Sequence, residues 1–135
     1  DVLIQRVHKW IDEKTVKNRF EAINHFEKLL EQNGTKIIKC YMHISPEAQL
    51  ERLEERKTNP AKMWKHNDQD WLERKLWNEY MSAYEDVFSN CSKAAAWNIV
   101  GVDQNWYKEY QIAKLVRDEL KAMKLEYPKL VTTAK

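Results

Sequence analysis

Apolar residues recur along this chain in two rhythms. From about Thr15 to Gln32, Val16, Phe20, Ile23, Phe26 and Leu30 return at steps of three and four. That spacing places them on one face of a helix. Asn33-Gly34 follows, and a glycine just past the last periodic residue is a helix stop. The stretch Lys36–Ile44 is different, with Ile37, Ile38, Cys40, Tyr41, Met42 and Ile44 almost continuous. A short run this apolar predicts a largely buried strand of the kind found in parallel sheets. Val2, Leu3, Ile4 and Val7 predict a further strand over Asp1–His8, and Ala96–Val102 predicts another.

Ser45-Pro46 opens a second helix, with serine as cap and proline at the first helical position. It is expected to run to about Lys57, because the residue before Pro60 avoids the helical region. Lys62–Asn67 reads as loop. Asn67 or Asp68 caps a long third helix through Ser89, with Leu72, Leu76, Tyr80, Ala83 and Val87 on one side and Trp77, Tyr84 and Phe88 widening it. Asn105–Met123 predicts a terminal helix with Ile112, Leu115, Val116 and Leu120 inward. The tail from Tyr127 has no pattern and is expected to be disordered. The resulting order, β-α-β-α-α-β-α, favours an α/β layered fold with a parallel sheet. Three strands are few for such a sheet. With a start at Asp1 rather than methionine, this leads us to expect a fragment.

Composition narrows the function classes. The 135 residues make one domain at most. They carry 23 basic and 21 acidic side chains, so no global positive excess points to nucleic acid. No run approaches the ~18 apolar residues of a membrane span. Two cysteines, Cys40 and Cys91, are too few for a disulfide scaffold and suggest a reducing compartment, the cytoplasm. Only two glycines occur, Gly34 and Gly101. A phosphate-cradling loop needs clustered glycines, so the chain contains neither a Walker A loop nor a dinucleotide fingerprint. His8, His25, His43, His66 and the cysteines lack paired ligand spacing, which argues against zinc.

The densest candidate chemistry lies in Arg52–His66. Arg52, Arg56, Lys57, Lys62 and Lys65 outnumber Glu54 and Glu55 there. Arg52 and Arg56 are four apart and share a helix face. Arginine forks match phosphate oxygens in pairs, and lysines add compact charges. Two arginines on a helix with lysines on a following loop suit a polyanionic phosphate group. A solvated charged helix end, with Glu51 and Glu55 as partners, explains the same pattern. Trp64 within the loop either stacks on a nucleobase or pins the loop to the core. Arg6 ends the first predicted strand, where ligands of open parallel sheets bind. Asp103 follows the last strand and either bears on a ligand or caps the terminal helix.

Several segments together resemble the C-terminal part of the polyphosphate kinase 2 family. These are D-V-L-I-Q-R-V-H at Asp1–His8, the run Arg19–Lys39, H-I-S at His43–Ser45 and Q-L-E-R-L-E-E-R-K-T-N-P-A-K-M-W-K at Gln49–Lys65. Trp77, Tyr80, Tyr84-Glu85-Asp86, Ala96-Trp97, Asp103 and Trp106-Tyr107 continue the match, with Ala96 standing where the family often has proline. The resemblance implies a P-loop-kinase-like fold, with a parallel sheet flanked by helices and a helical lid at about 46–89. Residues 1–125 would be the C-terminal part of that domain and 126–135 a tail. It further implies phosphoryl transfer between inorganic polyphosphate and a nucleoside mono- or diphosphate, with Mg2+ held by ligands outside this chain. The resemblance implies that Arg52, Arg56, Lys62 and Lys65 belong to the lid region and that Arg6 faces the phosphate channel. Taken with the residue pattern, Arg52 and Arg56 are the catalytic candidates, Arg6, Lys62 and Lys65 the phosphate-binding candidates and Trp64 the nucleotide-stacking candidate. The Walker A and Walker B segments of the family lie N-terminal to the part matching Asp1. The expected partners are polyphosphate, a nucleotide and further copies of the chain, with no nucleic acid and no membrane. A non-catalytic polyanion-binding module and another P-loop nucleotide kinase remain alternatives.

Overall fold

The structure is a computed structural model that describes residues 1–129. Six α-helices and a two-stranded parallel sheet make up the described residues. The chain enters through a single helical turn, α1 (Ile4–Val7), and then α2 (Glu13–Gln32). Strand β1 (Lys39–His43) leads to α3 (Pro46–Thr58), a 3-10 turn at Met63–Lys65 and α4 (Asp68–Glu73). A second 3-10 turn at Arg74–Leu76 precedes α5 (Trp77–Asn90), β2 (Trp97–Gly101) and α6 (Asn105–Ala122).

The α/β class with a parallel sheet agrees with the sequence pattern, but the first predicted strand does not form. Asp1–His8 instead closes local hydrogen bonds, from Val7 N to the Leu3 carbonyl at 2.9 Å and from His8 N to that of Ile4 at 3.0 Å. A strand exists only with a ladder partner, and this segment has none among the described residues. Its apolar content is used otherwise: Val2 packs into a core cluster with Val16, Phe20, Val87 and Cys91.

Helix α2 starts where Asp12 accepts a hydrogen bond from Thr15 N at 2.7 Å. It stops at Gly34, whose φ of +81° suits the residue that terminates a helix. Its inward face departs from the expected stripe. Val16 and Phe20 are buried, but Phe26 is 60% exposed and Glu27 is buried instead. The cause lies on β1. Lys39 Nζ stands 2.7 and 3.0 Å from the Glu27 carboxylate and also donates to the Cys91 carbonyl. The ion pair turns the Glu27 side of the helix inward.

In the sheet, Lys39 lies opposite Trp97, Tyr41 opposite Ile99 and His43 opposite Gly101. Helix α5 covers one face through rings. Tyr41 packs tilted against Tyr84 and edge to face against Phe88, at 4.5 and 5.0 Å between centroids, and Phe88 meets Trp97 at 5.6 Å. The buried-strand expectation holds for Lys39 and Tyr41 and fails for Met42, which is 58% exposed.

The long third helix is broken into α4, a 3-10 turn and α5. Arg74, within that turn, donates to the Pro46 carbonyl at 2.8 Å and to Gln49 Oε1 at 2.7 Å. The break thus sits where a tertiary anchor holds the backbone. Asn67 caps α4 through Gln69 N at 3.0 Å, as expected. Helix α6 forms over nearly the predicted span, but its apolar stripe is only half used. Ile112 and Leu115 are partly covered, whereas Val116 and Leu120 are exposed. Of the predicted tail, 126–129 has no regular structure and 130–135 lies outside the described residues.

Candidate functional site

Parallel strands carry their ligands beyond their carboxyl ends. Here those ends are His43 and Gly101, followed by Ser45 and Asp103. Ser45 caps α3 by accepting from Ala48 N at 3.1 Å. Its own N–H donates to Asp103 Oδ1 at 2.8 Å, tying the two strand-end turns together. That bond is the main cause holding the Asp103 carboxyl below the usual carboxylate range, with Arg52 adding a smaller pull. Arg52 completes the lacing from α3. Its guanidinium donates to the carbonyls of Val102 at 2.5 Å and Asp103 at 3.1 Å, and to Asn105 Oδ1 at 3.4 Å.

Helix α3 then rises away from the sheet and carries the basic cluster on its far half. Arg56 donates to Asp70 Oδ2 on α4 at 2.7 Å. Lys57 lies over the Trp71 ring at 3.7 Å from its centroid. These two contacts clasp α3 to α4. Lys62 Nζ meets Glu55 Oε2 at 2.6 Å. This bond is the leading cause of the depressed Glu55 pKa. Trp64 projects from the connecting 3-10 turn, 78% exposed, with Nε1 donating to the Ala61 carbonyl at 3.1 Å. Lys65 Nζ sits 5.0 Å from its centroid. The ring is therefore attached to its own loop by one edge and does not pin that loop to the core.

Arg56, Lys62, Trp64 and Lys65 thus share α3 and the α3–α4 connection. Arg52 shares the helix but faces the strand-end turns. Arg6 lies elsewhere, between α1, α2 and α5. Its guanidinium pairs with Glu13 at 3.0 Å and Asp86 at 2.6 Å, which raise its pKa. Asp86 is invisible to local spacing because it is 80 residues away, and Glu13, seven away, is brought near only by the turn between α1 and α2. Sequence reasoning also missed the Glu73 hub. Its carboxylate accepts from Tyr80 at 2.7 Å and Gln69 at 2.9 Å and meets His8 Nε2 at 3.0 Å. Gln69, Glu73, Trp77 and Tyr80 follow helical spacing, the one signal that was present. Burial, with Glu73 second, pushes the Tyr80 phenol up to about 12.

The carboxylates here do not fit a magnesium site. Glu55 is engaged by Lys62, Asp70 by Arg56 and Asp103 by Ser45 N. No three metal-ligating side chains converge among the described residues.

The family model for polyphosphate kinase 2 (PPK2) matches residues 1–128. The chain belongs to the polyphosphate kinase 2 family. A crystal structure of polyphosphate kinase 2 from Arthrobacter aurescens TC1 superposes with a TM-score of 0.94 at 37% identity, covering 99% of this chain and 48% of that one. The AMP/ADP-polyphosphate phosphotransferase of Meiothermus ruber is 33% identical over 135 residues, 99% of this chain and 51% of the relative. An uncharacterized protein of Leptolyngbya boryana is 39% identical over 111 residues, 82% of each chain. This polyphosphate kinase 2 chain therefore spans about half the length of the Meiothermus relative and the Arthrobacter structure.

Proposed function

We propose that this chain is the lid-bearing half of a phosphotransferase that moves a phosphoryl group between inorganic polyphosphate and a nucleoside mono- or diphosphate. The observation that carries the reading is the placement of Arg56, Lys62 and Lys65 with exposed Trp64 on α3 and the α3–α4 connection. Such transfer needs positioning and neutralisation of the phosphoryl oxygens rather than covalent chemistry from the protein. Arg56 and Lys62 already pair with Asp70 and Glu55 at half-buried positions whose side chains still reach solvent. Ion pairs open to water are worth little, ~0–1 kcal/mol, so a polyphosphate chain of higher charge can exchange for them. The free face of Trp64 supplies a platform for the nucleobase.

Arg52 acts, in this reading, by holding the lid helix to the strand-end turns. Arg6 fixes the entering turn to α5, and its two carboxylates would have to yield before it contacted a phosphate. The lid comprises roughly residues 46–89. Magnesium would be held by groups of the fold outside this chain. The proposal takes the enzyme to be cytoplasmic; no helix among the described residues is long and apolar enough to cross a membrane.

The test uses the intact protein, with whatever polypeptide completes the fold. Arg56→Ala lowers turnover with polyphosphate by about ten- to a thousandfold, as removal of other charge-stabilising groups does. Unchanged kinetics for both Arg56→Ala and the Lys62→Ala/Lys65→Ala pair would sink the assignment.

A further inference from the structure

A second cleft lies apart from the lid loop, directly at the strand ends. Its volume is about 430 Å³, and His43, Ser45, Gly101, Asp103, Gln104 and Tyr107 line it. Gly101 leaves it open: nothing lies within 4 Å of where a Cβ would stand. Tyr107, 45% exposed, is one of the lining residues, and Trp106, 66% exposed, meets its ring edge to face at 5.5 Å. Trp106 Nε1 is turned onto Gln104 Oε1 at 2.9 Å, which fixes the rim.

Charge decides what fits. No lysine or arginine lines the cleft. The nearest guanidinium, Arg52, is committed to two carbonyls and Asn105. The ionised group facing it is Asp103, whose Oδ1 is held by Ser45 N. A carboxylate without a free cation repels phosphate and welcomes hydroxyl or amine donors. A carboxylate beyond a strand end is also the group that binds ribose hydroxyls in other open α/β sheets. Exposed rings beside it offer stacking of ~1–3 kcal/mol per base.

We infer that this strand-end cleft binds a nucleoside, its ribose hydroxyls donating to Asp103 and its base stacking on Tyr107 and Trp106. It is a second place for a base, distinct from Trp64 on the lid. The inference builds on the nucleotide-phosphotransferase reading and adds a site to it.

Amide proton–nitrogen NMR of the intact protein, with the polypeptide that completes the fold, separates the two. The probes are adenosine, which has no phosphate, and inorganic tripolyphosphate, which has no base. Adenosine is expected to shift Gly101, Gln104 and Tyr107, and tripolyphosphate Arg56, Lys62 and Lys65. Tyr107→Ala and Asp103→Asn each weaken the adenosine response by about tenfold. Asparagine still accepts from Ser45 N, and Tyr107 is too exposed for its loss to unfold the chain. Adenosine shifts confined to Trp64, or none, overturn the nucleoside site while leaving the lid reading intact if tripolyphosphate still shifts the lid. Tripolyphosphate shifts at Gly101 and Gln104 instead of adenosine shifts overturn the argument from charge. Adenosine shifts at the cleft with no tripolyphosphate response at the lid support the site and count against the lid reading.

Discussion

Replacing Lys39 with methionine isolates the contribution of the ion pair buried between α2 and β1. The two side chains are 9% and 12% exposed, and Lys39 Nζ is 2.7 Å from Glu27 Oε2. Methionine fills much of the volume of the lysine stem but leaves the Glu27 carboxylate without its cation. Removing one partner of a buried pair costs ~3–5 kcal/mol because an uncompensated charge remains. The Cys91 carbonyl also loses a donor, but Trp97 Nε1 still donates to it at 3.0 Å, so the penalty falls mainly on Glu27. A domain of this size has ~5–15 kcal/mol in total. The variant should therefore lose a large fraction of its stability and in unfavourable conditions fail to fold. Adding Glu27→Leu removes the stranded charge, and well-packed apolar replacements of buried pairs are often neutral. The double variant should recover most of the loss. Urea unfolding of the wild type, both singles and the double, extrapolated linearly to water, closes the cycle. A Lys39→Met loss under about 1 kcal/mol, or a double variant no more stable than that single, would refute the assignment of the pair as a buried, mutually dependent unit.

Tyr80 gives a spectroscopic test. Its phenol is raised to about 12 by burial and by the Glu73 carboxylate, so the neutral form is favoured in the fold. Stability from this group is complete below the unfolded phenol pKa of ~10 and is lost as pH rises toward about 12. Burial raises the Tyr41 phenol as well, so an ultraviolet phenolate titration should show late ionisation of which the Tyr80 part moves earlier in Glu73→Gln; an unchanged profile would argue against the Glu73 contact. The 135-residue chain alone should not phosphorylate AMP or ADP with polyphosphate and Mg2+, because its two glycines make no phosphate-cradling loop to hold the transferring group at the ~3–3.5 Å of a near-attack geometry; product above a protein-free control would show otherwise. The isolated chain should self-associate, since among the described residues both strands of the two-stranded sheet have an unpaired side and Met42 and Ile99 are 58% and 65% exposed. Light scattering that finds only monomer at high concentration would contradict this.

Much of the fold was legible because the forces that decide it are local. Ser45, Asn67 and Gly34 mark helix ends through bonds and backbone angles that involve only their neighbours. The apolar runs at Lys36–Ile44 and Ala96–Val102 became the two strands for the same reason, their β-rich content being sufficient once each had the other as partner. The basic residues Arg56–Lys65 stay on α3 and the connection after it because they are close in sequence, but the i, i+4 spacing did not keep Arg52 with them: it turns to the strand-end turns while Arg56 meets Asp70. Asp1–His8 failed that logic: strand propensity is realised only across a ladder, and without one the segment turned helical. Which basic residues are free was beyond local reading. Arg6 finds its partner in Asp86, Arg52 finds the carbonyls after β2, and Lys39 finds Glu27 across the α2–β1 interface. Side-chain charge is written in the sequence. Whether that charge faces a ligand, a backbone carbonyl or a buried carboxylate is set by where the folded chain places residues tens of positions apart.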